Sequence, residues 1–180
     1  LIRLDFFTEN DFEQLMGWVN DTSERFFMQW SGPTFTYPLT CEQLKDYIKN
    51  ADPPEGGDRI YKAVHQPSGE TIGHLAIRKI DRFHNSARLG KVLIAPEWRG
   101  MGLAVPMIEK ALTEAFETEH LHRLALGVFS FNRPAYRLYR KVGFREEGYF
   151  RDFRRVGDEY WDMYEMSMLA PEYKKKKEGS

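Results

Sequence analysis

Arg99-Gly100-Met101-Gly102-Leu103-Ala104 stands between an apolar strand-like run and an amphipathic helix-like run, and that placement builds an anion site. Glycines at 100 and 102 let the backbone turn tightly with no side chain in the way, so that successive amides converge on a bound phosphate. The following helix adds the positive end of its dipole. Upstream, Ala87 to Ala95 reads as a strand carrying Leu89, Val92, Leu93 and Ile94, and Pro96 ends its pairing because it has no N–H to give. Downstream, Ile108, Ala111, Leu112, Ala115 and Phe116 recur at three- and four-residue spacing, as one face of a helix does. Pro106 suits the first turn of that helix and would break a later one.

Two other phosphate loops fail on the same residues. The Gly-Lys-Ser/Thr ending of a Walker-type loop is absent, and the sixth position of a dinucleotide fingerprint counted from Gly100 is Val105 instead of Gly or Ala. A plain glycine turn between strand and helix remains the alternative for this segment alone.

A second motif follows the strand-like run Leu124 to Phe129: Asn132-Arg-Pro-Ala-Tyr-Arg-Leu-Tyr-Arg-Lys-Val-Gly-Phe144. Together the two segments resemble the GNAT superfamily of acyl-CoA-dependent N-acyltransferases. Arg99 to Ala104 matches its Arg/Gln-x-x-Gly-x-Gly/Ala pyrophosphate loop, while Asn132, Ala135, Leu138, Tyr139, Gly143 and Phe144 match its Asn-x-x-Ala-x-x-Leu-Tyr-x-x-x-Gly-Phe element. Glu147-Gly148, Arg151, Gly157, Tyr160 and Asp162 resemble the C-terminal hairpin of the RimJ/RimL-like branch, and the likeness runs from Ile2 to Leu169. It implies an α/β (α+β) fold: a mixed, mostly antiparallel sheet of six to seven strands with helices on both faces.

Composition agrees. A chain of 180 residues with 42% hydrophobic content suits one domain, residues 1–170, and leaves 171–180, with Lys174 to Lys177, as a flexible basic tail. Twenty-six basic and 27 acidic residues give no field that argues for nucleic acid. The lone cysteine, Cys41, forms no internal disulfide, and no apolar stretch is long enough for a membrane or signal segment, so a cytoplasmic protein without a membrane partner is expected.

Elsewhere the chain alternates helices and strands. Thr8 with Asp11 opens one helix (Phe12, Leu15, Met16, Val19 inward), and Thr40 with Gln43 caps another. Asp52 to Asp58 reads as a loop, strands follow at Arg59 to His65 and Thr71 to Ile80, and Gly157-Asp158 joins two aromatic strands.

The resemblance implies acetyl-CoA as co-substrate and coenzyme A as product, with no metal; no His, Cys, Asp and Glu cluster has ligand spacing. Backbone amides from Arg99 to Ala104 would meet the pyrophosphate, and Val92, Leu93 and Ile94 would pair with the pantetheine arm like an added strand. Asn132 would lie near the cofactor; by its position it also caps the helix that Pro134 opens. Tyr139 is the candidate general acid toward the leaving thiolate, its hydroxyl protonated at neutral pH, with core packing as the competing role. A non-catalytic acyl-CoA-binding module would keep the loop and lose turnover.

The general base is the open position. The resemblance implies a carboxylate base near the start of the fourth strand, as RimJ/RimL-like relatives often have, or on the fifth, as some ribosomal-protein acetyltransferases have; this chain has Arg88 and Gly127 there. His74 is the candidate on residue chemistry, with a structural histidine or a water relay as alternatives. Deprotonating a lysine-like amine at pH 7 costs about 4.6 kcal/mol and an α-amino group only about 1 kcal/mol. A site without a strong base therefore leans toward a peptide N-terminus or a small amine of low pKa. Phe26, Phe27, Trp30, Phe35, Tyr37, Tyr160 and Trp161 are candidates for the acceptor wall, and Asp21, Glu24, Asp158 and Glu159 for attraction of a cationic acceptor. The resemblance also admits a homodimer.

Overall fold

The computed structural model describes residues 1–53 and 57–180, so the loop read at Asp52 to Asp58 lies partly outside the described residues. Strands β1 (Ile2–Phe6), β2 (Arg59–His65), β3 (Glu70–Asp81), β4 (Ser86–Ile94), β5 (Arg123–Phe129), β6 (Arg145–Val156) and β7 (Glu159–Leu169) form a seven-stranded sheet in the order β1-β2-β3-β4-β5-β7-β6. Between and after them lie α1 (Phe12–Asn20), α2 (Glu24–Ser31), α3 (Cys41–Ile48), α4 (Ala104–Thr113), α5 (Arg133–Val142) and α6 (Ala170–Glu178).

Both faces of the sheet are covered, as expected of strands as continuously apolar as β3. On one face Met107, Ile108, Ala111 and Leu112 of α4 and Val142 of α5 pack on Leu75, Leu89, Leu124 and Met166. On the other, Phe12, Leu15 and Val19 of α1, Phe27 of α2 and Leu44 and Tyr47 of α3 pack on Ile60, Ala76 and Leu93. Thr40 accepts from the Gln43 amide as read, whereas Thr8 and Asp11 open a short 3-10 turn ahead of α1.

One junction positions the site. β4 and β5 run parallel, while the other neighbouring strand pairs are antiparallel. Their register lasts for three pairs, Ser86 with Arg123, Ala87 with Leu124 and Arg88 with Ala125. Beyond Arg88 they part. β5 stays paired with β7 along its full length, and β4 is deflected by a bulge in which Lys91 and Val92 together face Leu75. Lys91 takes the left-handed conformation there, φ +54°. The edge of β4 toward β5 is thus left without a strand partner past Arg88.

Residues 171–180 correct the expected flexible tail. Ala170–Glu178 is helical because Pro171 suits its first turn and Tyr173 is buried, its ring stacked 5.0 Å from Phe116 and its hydroxyl donating to Glu117 at 2.6 Å. Lys176 pairs with Glu109 at 2.7 Å and Lys177 with Glu117, which ties part of the lysine run to the domain. Phe116 reaches Tyr173 from a π-helical turn, Glu114–Thr118, that extends α4.

Candidate active site

Where β4 and β5 part, a cleft of about 910 Å³ opens between α2, the two strands and α5. Its floor includes Val92, Leu93 and Ile94, and its end toward the glycine loop includes Arg99 and Ala104. Gly100 and Gly102 have φ of +76° and +73°, a region that side chains disfavour, and no heavy atom lies within 4 Å of where a Cβ would stand at either. The loop therefore presents bare backbone to open space. Leu103 is buried and anchors it, and the first amides of α4 after it have no intrahelical acceptor. These features fit a pyrophosphate held by main-chain N–H groups. Met101 is exposed, and Arg99 folds back, its Nε donating to the Ile94 carbonyl at 3.0 Å and its guanidinium lying 5.4 Å from the Phe26 ring.

The second motif arrives from the other wall. Asn132 ends the turn after β5 and accepts from the Ala135 amide at 3.4 Å, so the capping role is real, and it also lines the cleft. Two turns along α5, Tyr139 is buried with its ring edge-on to Phe144, and burial pushes its hydroxyl well above the ordinary value. A tyrosine packed only for structure would pair that hydroxyl. It makes no hydrogen bond to a described residue, and Tyr139 lines the cleft.

His74 is not brought to this place. It faces the α1–α3 core, 1% exposed, with Phe7 edge-on at 4.7 Å and the Tyr47 hydroxyl 3.0 Å from Nε2. Burial, and secondarily the charge of Lys91, lowers its pKa to about 3. It is a neutral core histidine, and the sequence reading of it as a base is corrected here. At Gly127 the chain carries no side chain at all, and a Cβ there would meet the end of the flexible Met163 side chain at 2.6 Å, which would have to move.

The expected acceptor wall divides. Phe26 and Trp30 line the cleft, whereas Phe27, Phe35 and Trp161 are buried core residues and Tyr160 is exposed. Glu159 is taken by an ion pair with Arg25.

The signal that sequence reading missed is charge. Arg78, Lys79, Arg88, Lys91, Arg99 and Arg154 line the cleft, and its described lining contains no aspartate or glutamate. They converge from β3, β4, the glycine loop and β6, so no local run of sequence reveals them. Lys91 is the most perturbed: burial first, then Arg78 and Lys79, lower its pKa to about 7.

A parallel pair splayed over a glycine-loop helix, with a tyrosine facing the gap, defines an acyl-CoA-dependent transferase. The acetyltransferase (GNAT) domain model matches residues 2–145, and the chain belongs to that family and is an N-acetyltransferase. It is 28% identical over 152 residues to the uncharacterized N-acetyltransferase p20 of Bacillus licheniformis, covering 80% of this chain and 85% of that protein. Against spermidine N(1)-acetyltransferase of Vibrio cholerae it is 34% identical over 110 residues, 61% of this chain and 63% of that one. The crystal structure of the Vibrio cholerae spermidine N-acetyltransferase in complex with CoA and spermine superposes with a TM-score of 0.81 at 26% identity, covering 96% of this chain and 97% of that one.

Proposed function

We propose that the chain transfers the acetyl group of acetyl-CoA directly to a primary amine seated in the cleft between β4 and β5, within a ternary complex. Acetyl-CoA supplies the activated acyl carbon and a thiolate leaving group. The amides from Arg99 to Ala104 bind its pyrophosphate, each charge-assisted hydrogen bond contributing about 1.5 to 3 kcal/mol. The unpaired edge of β4 at Val92, Leu93 and Ile94 orients the pantetheine arm as an added strand would. Asn132 sets the start of α5, and Tyr139 holds the proton that the thiolate requires.

The observation that carries this reading is the Tyr139 hydroxyl, raised in pKa, without a partner among the described residues, and in the cleft opposite the free edge of β4. A covalent enzyme route finds no support, because Cys41 is exposed on α3 and Tyr139 and the glycine loop lie elsewhere. The small-molecule acceptors in the names of the spermidine relatives favour a small amine over a peptide N-terminus. Thiol release from acetyl-CoA across a panel of small amines and peptides tests the reading. Amine-dependent release is expected; tight acetyl-CoA binding with no release for any amine would reduce the protein to a binding module.

A further inference from the structure

The basic cluster of the cleft divides by position along β4. Arg99 stands beyond the C-terminal end of that strand, beside the glycine loop, where the pyrophosphate is bound in the reading above. Arg78 and Arg88 pair across β3 and β4 near the opposite end, six residues before Ile94 and about 20 Å away at a strand's rise. Lys79 follows Arg78, Lys91 occupies the bulge between the two ends, and Arg154 comes over from β6. The inner group is therefore separate from the cations that the pyrophosphate can use.

Two of these charges are already answered. Glu165 takes Arg88 through a pair of hydrogen bonds, and Asp58 takes Arg78 at 3.1 Å while accepting from the Lys79 amide. For Lys79, Lys91 and Arg154, no carboxylate among the described residues lies within ion-pair distance. Arg154 instead lies 4.1 Å from the Phe153 ring, an arrangement that leaves its outer N–H groups for a ligand. Holding several cations together around one half-buried lysine is unfavourable unless an anion joins them; burial is the main cause of the lowered Lys91 pKa, and Arg78 and Lys79 add to it while Asp58 opposes them.

We infer that the acceptor is a primary amine carrying an oxyacid group, a carboxylate or a phosphonate, and that Lys79, Lys91 and Arg154 bind that group. The inference rests on the acetyl-transfer reading and adds the acceptor class to it. A polyamine, which has only positive charge to offer, is repelled by the same residues. The field also bears on the missing base. Cations around the cleft disfavour the ammonium form of the acceptor, so it binds as the neutral amine with its ammonium proton lost to solvent; after attack the nitrogen releases its second proton to solvent as the amide forms, while Tyr139 protonates the departing thiolate.

The test follows thiol release from acetyl-CoA with an amino acid, its methyl ester, an aminoalkylphosphonate and spermidine, beside calorimetry of each amine on protein saturated with coenzyme A. An acidic amine should exceed both the ester and spermidine at least tenfold in kcat/KM, the carboxylate and phosphonate arms showing which oxyacid is preferred. Replacing Lys79→Gln and Arg154→Gln together should raise KM for the acidic amine at least tenfold and leave KM for acetyl-CoA within twofold. Spermidine or the ester used as well as the acidic amines would overturn the acceptor class and leave the transfer reading standing. If no amine releases thiol, the calorimetry decides: preferential binding of the acidic amine sustains the acceptor class while the transfer reading falls, and equal or absent binding overturns the acceptor class as well.

Discussion

Arg88 and Glu165, 77 residues apart, meet through two parallel hydrogen bonds of 2.7 Å at the last paired rung before β4 and β5 separate. Glu165 lies on β7 opposite Gly127, and Arg88 is on β4 at the last pairing with β5. An acidic group thus stands beside both positions left open by sequence, supplied by a third strand and neutralised by Arg88. The hydrogen bond to Glu165 raises the pKa of Arg88 further.

The pair predicts a measurable coupling. Arg88→Met and Glu165→Gln should each destabilise the fold, since each leaves a partner uncompensated, and the double variant should recover part of the loss. With side-chain exposures of 38% and 15%, solvent screening holds the expected coupling to about 1 kcal/mol in a urea-denaturation cycle. Strict additivity would show that the two groups do not depend on each other.

The fold was largely legible in the chain because its signals are local. The glycine loop, the helix after it, the strands at 59–65 and 71–80 and the hairpin at Gly157 each follow from residues within a turn or two, and the structure places them within one or two residues of the reading. What escaped depends on distant partners. β3 is buried on both faces from Ile72 to Ile77, so its periodicity cannot say that His74 points toward Tyr47 and away from the cleft. The bulge that turns Lys91 inward has no composition of its own, and α6 is fixed by the contact of Tyr173 with Phe116, 57 residues earlier. α2 was hidden for a similar reason: Ser23 caps it, accepting from the Phe26 amide at 3.1 Å, but its aromatics fit a core, a wall or a loop equally well until Phe27 is seen to be buried and Phe26 not.

The phosphate loop should be sensitive to charge more than to strain. Gly102→Ala adds only a methyl group in open space, though at φ +73°, and should cost about 1 kcal/mol in stability with a small loss of cofactor affinity. Gly102→Asp adds a carboxylate facing the pyrophosphate site and should weaken acetyl-CoA binding at least a further tenfold by calorimetry. Equal affinities for the two variants would remove the anion from this loop.

His74 should report on stability and not on turnover. Its folded pKa lies near 3, below the ordinary value of 6.5, so below about pH 6.5 the unfolded chain binds a proton that the fold refuses. The stabilising contribution is therefore complete above pH 6.5 and is lost as pH falls toward 3, at up to about 1.4 kcal/mol per pH unit. His74→Gln keeps a polar partner for Tyr47 and should flatten that slope in urea midpoints between pH 7 and 4. Turnover at pH 7.5 should stay within about threefold; a loss of a hundredfold or more in a folded variant would return His74 to the reaction.

Tyr139→Phe isolates one hydroxyl. The ring that packs on Phe144 is kept, and because the hydroxyl makes no hydrogen bond to a described residue, its removal strands no protein donor or acceptor. A melting temperature close to that of the parent is expected, as is unchanged acetyl-CoA affinity. Turnover should fall about 10²-fold, within the usual range for general-acid catalysis, with kcat and kcat/KM reduced together. Single-turnover mixing is the deciding measurement, since slow product release would hide a slower chemical step. A leaving group that needs no proton sharpens the test. With an acetyl thioester of a thiol whose pKa lies well below 7, the variant should recover most of the parent rate. Full activity of Tyr139→Phe on acetyl-CoA in a single turnover would end the general-acid role and leave the cleft as the only part of the mechanism still standing.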